Sequence, residues 1–405
     1  MRARLKLGGR ALEESRLISD ELGASMQIER RTILRAALGS AALAAMATSA
    51  ERSAASGVAK RGMARPPVRL VGDDAALEPE AMSTRLSKLA SEKNVADSYL
   101  KGGAVAELES RFADILGKEA CIFLPTGTLA NNVALRALCG ENPRALCQFD
   151  SHLYRDESDA VQRVSGINLV PLAAGRAVPT MEELAAAFDT AEKGPYPLKV
   201  GAISLESPVR RLNGEMIPPA EIAKIADLAR KHGAAIHLDG ARLLLAPPQI
   251  DIRAYAAPFD TVYVSLYKYL GAPFGAVLAG QKARIDEVRE DRHLFGSLIY
   301  QGWIPAVLAL DRLGSIRADM AKAYAAADAL TGVLEQLGIA RLRTTKSGSN
   351  IYLLQISEDR ASAALIKGRA SGIQVGTWKD GLLPLGINHT ILRRPVSEYV
   401  RLFQT

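Results

Sequence analysis

The chain has 405 residues, is 48% hydrophobic with few aromatics, and carries a formal charge of +7 at pH 7. That length holds two domains and a large core, and the charge excess is too mild for a polyanion-binding face: the first fifty residues hold eight Lys/Arg against five Asp/Glu, leaving about +4 for the rest. Three cysteines (Cys121, Cys139, Cys147) and five histidines show no metal-ligand spacing, so no metal site is expected, and neither an internal repeat nor a nucleic-acid module is visible.

Residues 1–25 form an amphipathic, mixed-charge stretch. Arg30-Arg31 then precede a weakly apolar, Ala/Gly-rich run, Ala36 to Ala47, which is too short to span a bilayer and resembles a twin-arginine export signal. Met26 would start a signal of ordinary length, and Ala45, Ala47 and Ala50 offer cleavage points. The expectation is an N-terminal extension with a twin-arginine signal within residues 1–50, a small and basic flexible linker over 51–66, and an exported, periplasmic location, with the cytoplasm as the alternative.

From Pro67 onward the pattern is that of a folded α/β body. Helices are expected over Glu80 to Ser91, with Pro79 at the start, and over Ala104 to Leu116. Cys121-Ile-Phe-Leu reads as a strand running through Pro125-Thr126-Gly127-Thr128 into a helix containing Asn131 and Asn132. Free backbone N–H groups and two hydroxyls therefore gather at a helix N-terminus, which suits an anion. The next strand ends near Phe149, with His152 just beyond it as a planar group able to relay a proton.

Ala202 to Glu206 opens another rim loop at Ser207-Pro208, and an amphipathic helix over Ala220 to Lys231 leads into Ala234-Ala-Ile-His-Leu-Asp239. This strand releases an acid at its carboxyl end, where ligands gather in open α/β sheets, and Arg242 follows at once. Thr261-Val-Tyr-Val-Ser-Leu-Tyr ends at Lys268, then a Gly/Pro turn leads to the apolar run Ala276-Val-Leu-Ala. A lysine at the mouth of a buried sheet has its ammonium form disfavoured and is a nucleophile toward an aldehyde. A charged helix around Ala283 to Asp291, a long Ala-rich helix from Ser315, and strands over residues 350–356 and 372–378 complete the chain.

Gly117 to Asn131, His237 to Arg242 and Ser265 to Gly275 resemble, in order and spacing, the threonine aldolase and aromatic amino acid β-eliminating lyase family of fold-type I enzymes that use pyridoxal 5'-phosphate (PLP). The resemblance implies an α/β fold with a large, mostly parallel-sheet domain over 67–315 and a smaller α+β domain over 316–405. It implies PLP joined to Lys268, with Asp239 keeping the pyridine nitrogen protonated and His152 stacked on the ring. Thr126, Gly127 and Thr128 would hold the phosphate, and Arg242 the carboxylate of an amino-acid substrate.

The expected reaction is retro-aldol cleavage of a β-hydroxy amino acid, or β-elimination, by a homodimer or homotetramer with no nucleic-acid partner and no stable membrane span. The alternatives are a racemase or aminotransferase on the same fold, or a PLP-binding protein without turnover. Four departures concern phosphate and substrate. Gly72 stands where the family offers serine, and Tyr300 replaces the family's phosphate arginine as a cofactor-binding residue whose phenol can donate one hydrogen bond but supplies no charge. The family's Glu-Asn-Thr-His run reads Glu206-Ser-Pro-Val209, and the second carboxylate arginine is absent near Leu385. An altered substrate preference is therefore expected.

Overall fold

The computed structural model describes residues 65–73, 78–92, 94–343 and 347–404. The expected export signal lies outside the described residues, as does nearly all of the linker. Residues 66–405 make one compact unit, and no helix among the described residues is long and apolar enough to cross a membrane.

A seven-stranded sheet is built from β2 (Ala120–Leu124), β3 (Arg144–Gln148), β4 (Asn168–Leu172), β5 (Ala202–Glu206), β6 (Ala235–Asp239), β7 (Thr261–Ser265) and β8 (Ala276–Gly280), in the order β2-β8-β7-β6-β5-β3-β4. β8 pairs antiparallel to both β2 and β7, while the pairs among β3 to β7 are parallel. All five residues are buried in each of β5, β7 and β8, which is why Ala202-Ile-Ser-Leu and Thr261-Val-Tyr-Val-Ser read as continuous runs rather than as alternation. Helices cover both faces: Leu108, Phe112 and Leu116 on Gly103–Leu116 and Ile222, Ile225 and Ala229 on Pro219–Lys231 share one core with Phe123 and Val264, while Val133 and Ala134 on Gly127–Cys139 and Ile285 and Val288 on Lys282–Leu294 pack with Ile122 and Tyr263 on the other side.

Two smaller sheets follow. β9 (Arg341–Arg343), β10 (Ile351–Gln355) and β12 (Leu382–Gly386) form an antiparallel sheet in the order β12-β10-β9. β1 (Val68–Leu70) pairs parallel with β11 (Ile373–Val375). Their core gathers Val68, Leu70, Leu330, Leu334, Leu354, Leu383 and Phe403, packed on the long Ile316–Gln336 helix. The strand β1 is thus built into the C-terminal layer. Arg69 N–H donates to Thr390 Oγ1 at 3.0 Å, and Asn388 Nδ2 donates to the Arg69 carbonyl at 2.6 Å.

For the site, the decisive consequence is alignment. β3, β5, β6 and β7 run the same way, so their carboxyl ends open on one edge, and β2, reversed relative to β8 as β7 is, opens there too. His152, Glu206, Asp239 and Lys268 leave the sheet at this edge, with the N-terminus of the Gly127–Cys139 helix beside them.

Candidate active site

Lys268 follows β7 by three residues and is only 5% exposed. Its amine makes no ion pair or hydrogen bond among the described residues, and its Nζ lies 5.4 Å from the centroid of the Tyr267 ring. Burial, reinforced by the Arg242 charge, lowers its pKa, while Asp239, Asp73 and Glu206 oppose that shift. Asp239, the last residue of β6, is 3% exposed; its Oδ2 accepts from Asn131 Nδ2 at 3.0 Å and its Oδ1 from the Ala241 N–H at 3.1 Å.

Asn131 joins several of these groups. It lies on the first turns of the Gly127–Cys139 helix, and its Nδ2 also donates to Glu157 Oε1 at 2.8 Å. Its Oδ1 lies 3.1 Å from His237 Nε2, and His237 Nδ1 lies 2.8 Å from Thr261 Oγ1. Burial pushes the His237 imidazole down to about 4, so it is neutral and its protons are assigned by its partners: Thr261 donates to Nδ1 and Nε2–H donates to Asn131.

His152 Nδ1 lies 3.0 Å from the same Glu157 Oε1. That hydrogen bond raises the imidazole pKa against the opposing effect of burial, so His152 favours its protonated form more than a free imidazole does. The sequence suggests a ring that is neutral near pH 7; its buried carboxylate partner, some five residues on, shifts it the other way. Glu206, at the end of β5, is 3% exposed and accepts the His152 N–H at Oε2 (2.6 Å) and the Arg210 N–H at Oε1 (2.8 Å). Burial and the neighbouring Asp239 push its carboxyl up to about 7.

Arg242, 8% exposed, is held by Asp73 through a bidentate pair. Although burial works to raise it, the Asp73 pKa is lowered by this hydrogen bonding and by the charges of Arg242, Lys268 and Arg210. Thr126 caps the Gly127–Cys139 helix, its Oγ1 accepting from Leu129 N–H at 3.2 Å, which leaves the first N–H groups, those of Gly127 and Thr128, without intrahelical acceptors. A Cβ at Gly127 would collide with the Tyr263 hydroxyl. Ser265 Oγ is buried with no partner at hydrogen-bonding geometry.

The structure therefore brings Lys268, Asp239, His152 and Arg242 to one edge, with Thr126, Gly127 and Thr128 at the neighbouring helix start. Among the described residues of this single chain, Tyr300 makes no hydrogen bond to this group: it is 60% exposed, edge-on to Tyr99 at 5.2 Å, and its carbonyl accepts the Tyr99 N–H. Neither Arg393 nor Arg394 fills the gap near Leu385, because they donate to the carbonyls of Pro67 and Pro66, respectively. Val209 is fully buried, and Ser207 Oγ is spent on Tyr255 (2.5 Å) and Ile217 (3.0 Å), so Ser207 to Val209 present no side-chain base.

Sequence reading missed Asn131, Glu157, His237 and Asp73. Asn131 had a signal, one helical turn beyond Thr128 on a helix that starts at the rim; Glu157 and Asp73 had none, since acids in loops are common.

The β-eliminating lyase family model matches residues 70–357. The chain belongs to this family. Among curated relatives of this β-eliminating lyase family member, the low-specificity L-threonine aldolase of Candida albicans is 32% identical over 219 residues, 52% of this chain. The matched stretch spans little more than half of that relative, 57%.

Among solved structures, a protein from Exiguobacterium sp. 255-15, described as an aromatic amino acid beta-eliminating lyase/threonine aldolase, superposes with a TM-score of 0.70 at 25% identity, covering 84% of this chain and 98% of its own. Serine palmitoyltransferase from S. paucimobilis, a structure with bound PLP, shares the fold with a TM-score of 0.61 at 17% identity, covering 83% and 86%.

Proposed function

We propose that this family member is a PLP-dependent lyase that cleaves a β-hydroxy or β-substituted amino acid, with Lys268 carrying the cofactor. The observation that carries this reading is the unpaired, buried Lys268 amine at a strand end, with the Asp239 carboxylate in its field. A buried amine without a counter-ion is costly as ammonium and reactive as amine.

The neighbouring residues suit the other parts of PLP. Thr126, Gly127 and Thr128 offer helix-start N–H groups and hydroxyls to a phosphate, and Gly127 has no room for a side chain. The orphaned Ser265 hydroxyl is a further donor, and Asp239 supplies a buried carboxylate for the pyridine nitrogen. When bound, PLP supplies an electron sink for the bond broken at the substrate α-carbon.

The chain's own residues do the rest. Arg242 orients the substrate carboxylate as Asp73 releases it, and its planar fork fixes which bond faces the cofactor. Lys268 accepts and returns a proton at Nζ, and His152 moves one at Nε2, the nitrogen that Glu157 leaves free. Glu206, poised near neutrality, adjusts the charge around Asp239. With no base on the Ser207 to Val209 run, His152 is the side chain best suited to take the β-hydroxyl proton.

The test is the absorbance of the purified chain reconstituted with PLP, before and after borohydride, beside Lys268→Ala, followed by product analysis on a panel of amino acids. Aldehyde with glycine marks retro-aldol cleavage, keto acid with ammonia marks elimination, and the mirror-image amino acid marks racemisation. A colourless wild-type chain that borohydride leaves unlabelled would falsify the reading.

Export is proposed on the Arg30-Arg31 run alone and is tested by cell fractionation; assembly into two or four copies rests on the family resemblance and is tested by sedimentation.

A further inference from the structure

We propose that Glu157 is a positioning residue for His152: one buried carboxylate oxygen binds the imidazole Nδ1 and the Asn131 amide together, which fixes the ring at one angle and in the Nδ1–H tautomer and leaves Nε2 as the nitrogen that exchanges protons.

The geometry assigns each proton in turn. Thr261 Oγ1–H donates to His237 Nδ1 (2.8 Å), and His237 Nε2–H donates to Asn131 Oδ1 (3.1 Å). The Asn131 amide is thereby oriented, and its Nδ2 donates to Asp239 (3.0 Å) and to Glu157 Oε1 (2.8 Å). Burial raises the Glu157 carboxyl while the His152 and Asn131 hydrogen bonds work against that; once ionised it can only accept, and the same Oε1 then takes Nδ1–H of His152 at 3.0 Å. A hydrogen-bonded line therefore runs from β7 to the imidazole, and Glu157 is its last link.

Two further observations set Glu157 apart from a structural acid. Its side chain is fully buried, yet Oε2 has no hydrogen-bond partner, so the carboxylate is placed for what Oε1 does rather than for its own satisfaction. The chain turns away immediately afterwards through Ser158 and Asp159, with φ of 53° and 57°, a left-handed conformation that serine rarely adopts.

Other charges also face His152. Asp239 at the end of β6 adds to the effect of Glu157, Lys268 beyond β7 opposes it, and Glu206 at the end of β5 accepts the residue's own backbone N–H. Of these, Glu157 is the one hydrogen-bonded to the ring, and it leads the causes that raise the imidazole pKa.

The consequence of His152 standing beside the cofactor rests on the PLP reading above; the link between Glu157 and His152 does not. The experiment is nitrogen-detected NMR of the histidine rings in the full chain, without and with PLP, for wild type, Glu157→Gln and Glu157→Asp. Wild-type His152 is expected as the Nδ1–H tautomer with a titration above that of an ordinary histidine. Glu157→Gln is expected to lower its midpoint by about one pH unit, a tenfold change in proton affinity, with Glu157→Asp restoring part of it.

A wild-type ring in the Nε2–H tautomer, or a midpoint unmoved in Glu157→Gln, overturns the proposal. Should the glutamine variant fail to fold, the wild-type tautomer decides alone. A wild type that shows the Nδ1–H tautomer yet binds no PLP sinks the functional reading and leaves this one standing.

Discussion

Arg242 grips Asp73 through two parallel hydrogen bonds, Nε to Oδ1 at 2.7 Å and Nη2 to Oδ2 at 2.8 Å, so the guanidinium proposed to receive a substrate carboxylate already holds one from the same chain. Asp73 stands just beyond β1, 40% exposed at its side chain, whereas Arg242 is 9% exposed. An incoming amino acid must therefore displace or share this carboxylate. Asp73→Asn is expected to lower KM for amino-acid substrates roughly five- to tenfold by removing the competitor. It should also lower the melting temperature, because a buried guanidinium loses its counter-ion, with the loss recovered on adding an amino acid. Steady-state kinetics and thermal melts with and without ligand check both halves.

Gly127 and the Tyr263 hydroxyl are packed so closely that no side chain fits between them. Gly127→Ala is expected to weaken PLP binding at least tenfold, about 1.4 kcal/mol or more, by pushing the helix start away from the phosphate. Tyr263→Phe in the same chain should recover part of the loss, since it removes the colliding atom. Titration of PLP followed by absorbance measures each variant.

The buried His237 gives a pH dependence of definite sign. Its imidazole is held down at about 4 against 6.5 when free, so only the unfolded chain takes up its proton between those values. Its contribution is fully present above pH 6.5 and is lost as pH falls toward 4, on the order of 3 kcal/mol over the window. Denaturant unfolding at pH 7 and pH 4.5 should show a drop that His237→Gln reduces.

Glu206 titrates in the opposite sense. With its carboxyl raised to about 7 from 4.5 by burial and by Asp239, the folded chain holds a proton that the unfolded chain has lost. The stabilisation is present below pH 4.5 and is lost as pH rises through 7. The pH profile of kcat/KM is expected to carry a limb near 7, and Glu206→Gln should remove it; a profile that keeps the limb assigns it elsewhere.

The strands and the lysine at the sheet edge were legible because burial on both faces writes unbroken apolar runs, and each run stops where the chain leaves the sheet, at Asp239 in β6 and at Ser265 in β7, three residues before Lys268. The helix start at Thr126 was equally plain, since strand, Thr-Gly-Thr and helical periodicity follow in sequence. What escaped was pairing across distance. Asn131 meets Glu157 and Asp239, separated from them by 26 and 108 residues, and Arg242 meets Asp73 across 169. No local pattern marks such partners, because only the folded sheet brings their loops together. Tyr300 shows the converse limit: a position within a motif does not say which way its side chain faces.

The strand β1 emerges early in synthesis, yet Arg69 meets Thr390, 321 residues further along. At ordinary elongation speeds of 5–20 residues per second, the wait is roughly 15 to 65 s. During that interval Val68 and Leu70 have no partner, and Asp73 has no strand to anchor it beside Arg242. A trim that removed the chain as far as residue 73 would strip an edge from the C-terminal layer and unseat a charge in the catalytic cleft with the same cut.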